Sequence, residues 1–415
     1  MISFSSNAQW VEEGSEDNSP AQTSVFRNAG RKLRIACGLL VSFLTIYSSS
    51  GYAWTNCVFK FTGTTMKLTA DCSTDASIYV PQGLTLDGAG HMITAVDPVG
   101  GGHFLGAVVR NAGTRANVVN LTIKAFNLQD TPCDFGAEAF GEDRLRGIFL
   151  YGASGLISNN RIIGLNQGPG STCNEGTAIL ALNYPLDGTH PNTVQVTVLG
   201  NEIVAAQTFG VAIEGDIAFT VSGNKIGLSD QVGPFLQQFG IFLEFGAGGT
   251  ALLNNIQGGY SDLKTFIPYG IYVYEDSNLI VSGNAISGVK EGIFLDSQGI
   301  VNGVIGTNNN RVQANLITGA YEGIVVVARS SSSSTNNPHA DRNNVSANII
   351  KSATGTTALT GIFYGVEQFI PGPPPFPFTP VADGNIIKNN FISGYINPLF
   401  DASSTNSVVT GNVIK

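Results

Sequence analysis

The sequence predicts an all-β solenoid, and three observations carry that prediction. The first is a stretch of 22 residues, Gly270 to Glu291, reading GIYVYEDSNLIVSGNAISGVKE. It falls into three alternating apolar pieces, IYVY, NLIVS and AIS, separated by small polar turns. So short a segment cannot bury an apolar face alone and must stack on copies of itself. The second is the recurrence of its opening strand, a Gly, an aliphatic or small residue, any residue, then an apolar one. It returns as GIFLY (147), GTAIL (176), GVAIE (210), GIFLE (240), GIYVY (270), GIFLD (292), GIVVV (323) and GIFYG (361). The third is Asn-x-Ile or a near match at Asn160, Asn201, Asn224, Asn254, Asn284, Asn315, Asn348, Asn390 and Asn412. Successive gaps are 41, 23, 30, 30, 31, 33, 42 and 22 residues. The shortest sets one turn of the solenoid, so the chain holds about ten rungs, and longer gaps must bulge out as loops.

Composition agrees with short strands and tight turns. Charged residues are 12% of the 415, about half the usual share of roughly 25%, and glycine accounts for 51 positions. The net charge is −9 and the pI about 4.9. No basic stripe is present, which excludes nucleic acid as an expected partner. The acidic balance disfavours anionic membranes.

In chain order, residues 1–53 read as a signal peptide with an N-terminal extension. Arg27, Arg31, Lys32 and Arg34 precede the apolar run Ile35–Tyr47, and SSSGYA ends at Ala53 before Trp54. A basic segment, a short apolar run and small residues at the cut describe a secretory signal, and the run is short for a spanning helix. The expectation is a secreted protein without stable membrane insertion after signal removal, or one tethered by an uncleaved signal anchor. Cys37 would leave with the signal; Cys57, Cys72, Cys133 and Cys173 remain. Four cysteines allow three pairings, of which Cys57–Cys72 with Cys133–Cys173 is the most local. A metal site is the rival, but no Cys-x-x-Cys or Cys/His cluster supports it. Residues 54–415 form the β domain, with 54–98 as the cap and first turns, because an exposed solenoid end is an open sheet edge that must be covered. That segment contains SIYVPQGLTLDGAGHMI, and NVVNLTI follows within 100–126. The Asn column is expected to be structural: Asn tolerates the left-handed conformation of a sharp bend, and stacked Asn side chains form hydrogen-bonded ladders.

The rung GIYVYEDSNLIVSGNAISGVKE resembles the parallel β-helix repeat of the pectate-lyase-like superfamily, which includes carbohydrate-binding proteins and sugar hydrolases. The resemblance covers residues 147–415 well and 77–126 loosely. It implies a right-handed, single-stranded parallel β-helix of three sheets. The Gly-Ile strand would lie in the first, and the Asn turn would join the second and third. It also implies a cleft over the first sheet. The catalytic motifs of the related enzymes are absent: neither the Arg-x-Pro of pectate lyases nor the Asn-Thr-Asp, Asp-Asp, His-Gly and Arg-Ile-Lys set of polygalacturonases occurs. Asn336-Asn-Pro-His-Ala-Asp-Arg342 is similar to the Asp-Pro-His-Asp motif of alginate epimerases, with Asn337 in place of the first Asp and the second displaced to Asp341.

Long loops enter the Gly-Ile strand at 164–175, 227–239 and 257–269 and leave it at 297–310, 328–344 and 365–383, so they would wall a groove over that sheet. With a period of two, the third and fifth residues of the repeat point outward. The third reads Phe149, Ala178, Ala212, Phe242, Tyr272, Phe294, Val325, Phe363. The fifth reads Tyr151, Leu180, Glu214, Glu244, Tyr274, Asp296, Val327, Gly365. Aromatic faces stack on sugars and carboxylates do acid–base chemistry, so the candidate catalytic residues are Glu244, Asp296 and Glu214. The candidate sugar contacts are Tyr151, Phe242, Tyr272, Tyr274 and Phe294. With rungs about 4.8 Å apart, Glu214 and Glu244 are neighbours able to couple in titration. Glu244 and Asp296, two rungs apart, suit the roughly 6.5–9.5 Å of an inverting hydrolase. No cofactor is expected for hydrolysis. A lyase would need an Arg or Lys base and often Ca²⁺, for which Lys290, Arg146 and Arg329 flank the groove. The reading is therefore a secreted, monomeric β-helix that binds a polysaccharide and, if it is an enzyme, cleaves it as a hydrolase or lyase. A non-catalytic binder and a structural or adhesive surface protein are the alternatives. The Pro-rich segment 371–380 reads as a stiff loop, and Asn120 and Asn344 as glycosylation sequons.

Overall fold

Among the described residues, each turn of the chain lays one short strand into each of three sheets of 13, 12 and 11 strands, parallel throughout except for the first pair of the largest. The computed structural model describes residues 54–415 apart from 100, 126–127, 129–143, 166–175, 184–192, 230–236, 247, 259–266, 300–305, 331–333, 335–336, 353–357 and 368–378. Residues 1–53, where a signal peptide is expected, Cys133, Cys173 and most of the Pro-rich segment lie outside these residues.

A representative turn runs from Gly155–Ser158 in the 13-stranded sheet, through Asn160, to Arg161–Ile163 in the 12-stranded sheet, then to Thr177–Asn183 in the 11-stranded sheet. The last is the Gly-Ile sheet. Neighbouring strands are successive turns in parallel register, as in Ile241↔Ile271 and Ile256↔Ile286. This is the expected parallel β-helix, with the Asn turn between the second and third sheets. It holds at least eleven turns against about ten expected, because the region before Gly147 also stacks in register.

The core follows from the repeat. The Ile of Asn-x-Ile stacks as a column through Ile203, Ile226, Ile256, Ile286 and Ile317, each at most 1% exposed. The second and fourth residues of the Gly-Ile strand, such as Ile271 and Val273, face the same interior. Burying one such side chain is worth about 1.5–3 kcal/mol. Gly270 shows why the strand opens on Gly: a Cβ there would lie 2.4 Å from the Gly292 carbonyl oxygen and 2.5 Å from Ile286 Cγ2. At the N-terminal end, Phe59–Thr62 pairs antiparallel with Thr65–Leu68, and a Cys57–Cys72 disulfide staples this cap.

The nine-member Asn ladder forms. Asn284 Nδ2 donates to Ala251 O at 2.9 Å and to Asn315 Oδ1 at 3.0 Å, while its own Oδ1 accepts the Asn254 N–H at 2.9 Å and Nδ2 at 3.0 Å. One detail differs from expectation. The left-handed residue is the one before each ladder Asn: Asn159, Gly200, Gly223, Leu253, Gly283, Ala314, Ala347, Asn389 and Gly411, with φ from 54° to 65°. The Asn side chain is therefore placed by the bend rather than forming it. A shorter ladder of Asn310, Asn343 and Asn385 precedes the 13-stranded sheet, with backbone N–H to next Oδ1 distances of 3.0 and 2.9 Å. Its signal, Asn-x-Val or Asn-x-Ile again, was present in the sequence.

Candidate functional site

Side-chain parity on the Gly-Ile sheet is as expected from 210 onward. Phe242, Tyr272 and Phe294 align in one outward column, and Glu214, Glu244, Tyr274 and Asp296 in the next. One turn is corrected. Thr177–Asn183 pairs Leu180 with Phe149 and Leu182 with Tyr151, so Ala178, not Gly176, occupies the Gly column. Leu180 belongs to the third position and Leu182 to the fifth, a shift of two residues. The segment carries a Gly on its loop side and a small Ala where the close approach is, and the sequence alone does not choose between them.

A third outward column escaped the sequence reading. It sits one residue before the Gly and holds Phe209, Phe239, Tyr269, Glu291 and Glu322 in register. Reading one residue further back at each repeat reveals it. Phe209, Phe239 and Tyr269 stack with centroids 5.0 Å apart, and Phe242, Tyr272 and Phe294 form a parallel stack at 5.6 and 5.2 Å. The two stacks meet edge to face, as between Tyr269 and Tyr272 at 4.9 Å.

This packing corrects the expectation of an open groove floor. Tyr272 and Phe294 are 8% and 6% exposed, and Glu214, Glu244 and Asp296 are 5%, 8% and 0% exposed. They point away from the tube interior yet belong to a second buried layer outside it. Tyr151, Phe242 and Tyr274 remain half-buried.

Electrostatics divides the acids into two groups. Asp296 is fully engaged. Its Oδ1 accepts Arg329 Nε at 2.9 Å, and its Oδ2 accepts Arg329 Nη2 at 2.5 Å, Tyr272 Oη at 2.6 Å and Gln298 Nε2 at 3.0 Å. Arg329 also lies 5.5 Å over the Phe294 ring and 3.6 Å from Glu367. Glu244 and Asp296, the expected acid–base pair, are two rungs apart as anticipated, and Asp296 is held in an ion pair with Arg329. Glu214 and Glu244 are different. Burial pushes Glu214 up to about 7 against the opposing Arg146 guanidinium. Glu244 is held well above the usual carboxylate range by burial, then by Glu214, Asp276 and Glu275.

Two acids next to the site were read only as turn residues. Glu275, at φ 49°, accepts the Gln298 and Gly299 N–H groups on Oε1 and the Ser297 hydroxyl on Oε2 at 3.4 Å. Asp276 is 1% exposed, with burial raising its pKa. Of the flanking cations, Arg329 turns onto Asp296 and Arg146 stacks 4.5 Å over Phe149. His339 N–H donates to Ser297 Oγ at 3.0 Å, and its Nδ1 lies 3.0 Å from Asp341 Oδ2, so this fragment borders the same sheet edge. Among the described residues, no group of three or more His, Cys, Asp or Glu is arranged to hold a metal ion.

Comparison with known proteins follows the fold. A family model described as a right-handed β-helix region matches residues 146–358. Among solved structures, the tailspike protein of E. coli bacteriophage HK620 in complex with a pentasaccharide matches with a TM-score of 0.51 and 13% identity, over 85% of this chain and 60% of the tailspike chain. A double mutant of the periplasmic alginate epimerase AlgG matches with a TM-score of 0.49 and 13% identity, over 85% of each chain. A search of curated proteins finds no match in sequence.

Proposed function

From the premise that this chain belongs to the right-handed β-helix family, we propose that it engages a polysaccharide along the outer face of the Gly-Ile sheet and hydrolyses it at Glu214 and Glu244. The observation that carries this reading is the buried carboxyl pair on neighbouring rungs, Glu214↔Glu244, both titrating above the ordinary range. Groups tuned in this way by burial and like charge concentrate at functional sites. The half-buried rings of Tyr151, Phe242 and Tyr274 lie along the same face, and the HK620 tailspike, of the same fold, is in complex with a pentasaccharide.

The pair suggests a geometry other than the inverting one. One rung is about 4.8 Å, close to the roughly 5–5.5 Å between carboxyls of a retaining glycosidase. Glu244, held well above the usual carboxylate range by burial and by Glu214, Asp276 and Glu275, gives its proton to the glycosidic oxygen. Glu214, ionised above about 7, attacks the anomeric carbon as the bond to the leaving sugar breaks. Water then displaces Glu214, with Glu244 taking its proton. Asp296 and Arg329 fix Tyr272 beneath the sugar face. Export of the mature chain fits the Cys57–Cys72 disulfide, since such bonds persist in oxidising compartments.

A second, non-catalytic reading has its own support. The aromatic columns stack on each other and are mostly buried, which leaves fewer faces for sugar. One experiment separates the two. The purified protein is incubated with neutral and uronic polysaccharides, and new reducing ends, unsaturated products and retention are measured. Hydrolysis gives reducing ends without unsaturation, and Glu244→Gln then lowers the rate at least about a hundredfold with little change in Tm. Tyr274→Ala weakens retention. Retention without product leaves a binder, and neither signal leaves the structural reading.

A further inference from the structure

The surface between the Gly-Ile sheet and the 13-stranded sheet carries an open trough of about 500 Å³, whose last turn, at Gln195, adjoins the turn that carries Glu214. It runs over four successive turns, marked by Gln82, Arg115, Leu156 and Gln195, a length of about 14 Å at the spacing of stacked strands. Its walls are built from amides and hydroxyls already fixed by one another. Gln82 Oε1 accepts the Arg115 N–H at 3.2 Å, and its Nε2 donates to Thr114 Oγ1 at 3.3 Å. Asn117 Oδ1 accepts the Leu156 N–H at 2.9 Å, and Ser154 Oγ accepts the Gln195 N–H at 3.0 Å. The floor is Gly155, where a Cβ would lie 2.0 Å from the Ala116 carbonyl oxygen.

Charge sets the ligand class. The chain carries −9 overall, yet among the described residues no carboxylate lines this trough and its one charged lining residue is Arg115. Among the described residues Arg115 has no ion-pair partner, and its side chain is exposed. A fixed row of neutral donors and acceptors suits sugar hydroxyls, and a guanidinium suits a carboxylate through two parallel hydrogen bonds. We propose that this trough is a binding subsite for an acidic oligosaccharide, with Arg115 meeting a sugar carboxylate and the Gln195 amide and Thr197 hydroxyl meeting ring hydroxyls.

The test compares a polyuronate oligosaccharide with its fully methyl-esterified, uncharged counterpart of the same length, by calorimetry on the folded chain. The wild type binds the acid form more tightly, and added salt narrows the difference. Arg115→Gln lowers affinity for the acid form about tenfold, the equivalent of 1.4 kcal/mol, and abolishes the preference. Gln195→Ala lowers affinity for both forms. Both side chains are exposed, so Tm should not move and can be checked on the same samples. Arg115 lies three turns before Glu214 and four before Glu244, so Glu244→Gln removes hydrolysis and leaves the charge preference intact, and failure of the hydrolytic reading does not remove this one. Equal affinity of the wild type for the two forms, or an Arg115→Gln variant that keeps the preference, overturns the proposal.

Discussion

Arg329 closes on Asp296 from the next turn of the helix, Nε to Oδ1 at 2.9 Å and Nη2 to Oδ2 at 2.5 Å, with Asp296 fully buried. Removing one partner of such a pair leaves an uncompensated buried charge, which costs about 3–5 kcal/mol, whereas replacing both by apolar groups is often neutral. Arg329→Met should therefore destabilise the chain by about 3–5 kcal/mol in urea denaturation. The double variant Arg329→Met with Asp296→Leu should recover most of the loss. A single variant as stable as wild type would show that the pair is not closed in solution.

Glu214 gives the fold a pH dependence of definite sign. Its folded pKa is raised from 4.5 to about 7, so the folded chain binds the proton more tightly than the unfolded chain between those values. Stability contributed by this group is fully present below the unfolded value and is lost as pH rises through about 7. The difference between wild type and Glu214→Gln should shift by up to about 3 kcal/mol from pH 4 to pH 8, at 1.36 kcal/mol per pKa unit, with wild type losing ground. Chemical denaturation of both proteins across that range measures it, and a flat difference rejects the buried assignment.

Leu253 is 70% exposed and held at φ 54°, while the equivalent residues of the adjoining turns are Gly223 and Gly283. A side-chain-bearing residue pays roughly 1–2 kcal/mol in this conformation, and Gly does not. Leu253→Gly should raise stability by about 1 kcal/mol, seen as a higher midpoint at unchanged slope. A lower midpoint would mean that the exposed side chain packs more than its surface suggests.

Asn284→Ala removes hydrogen bonds on both sides of one ladder step and leaves the buried Asn254 donors without an acceptor. The expected cost is about 1–3 kcal/mol, with glycan retention per folded molecule unchanged. Unaltered stability would remove the ladder from any role in holding the turns together.

The sequence by itself determined the solenoid. The Asn-x-Ile and Gly-Ile landmarks fix which residues stack, since each turn repeats the same in–out alternation and the same bend, and the contacts they make are with the like residue of the next turn. Hence the Ile column, the Asn ladder, the Cys57–Cys72 staple and the outward direction of Glu214, Glu244 and Asp296 were all legible. What those outward residues do was decided only in three dimensions. Asp296 and Arg329 are 33 residues apart, and their meeting depends on how far a strand extends past the repeat before its loop begins. Which of Gly176 and Ala178 enters the Gly column depends on the pairing register with both neighbouring turns. Whether Phe242 and Tyr272 offer their faces to sugar depends on the parallel column from Phe209 to Tyr269, one residue before the repeat. A local pattern specifies the direction of a side chain, because direction follows from strand geometry. Its burial and protonation depend on groups that tertiary structure brings from other turns, and no single repeat contains them.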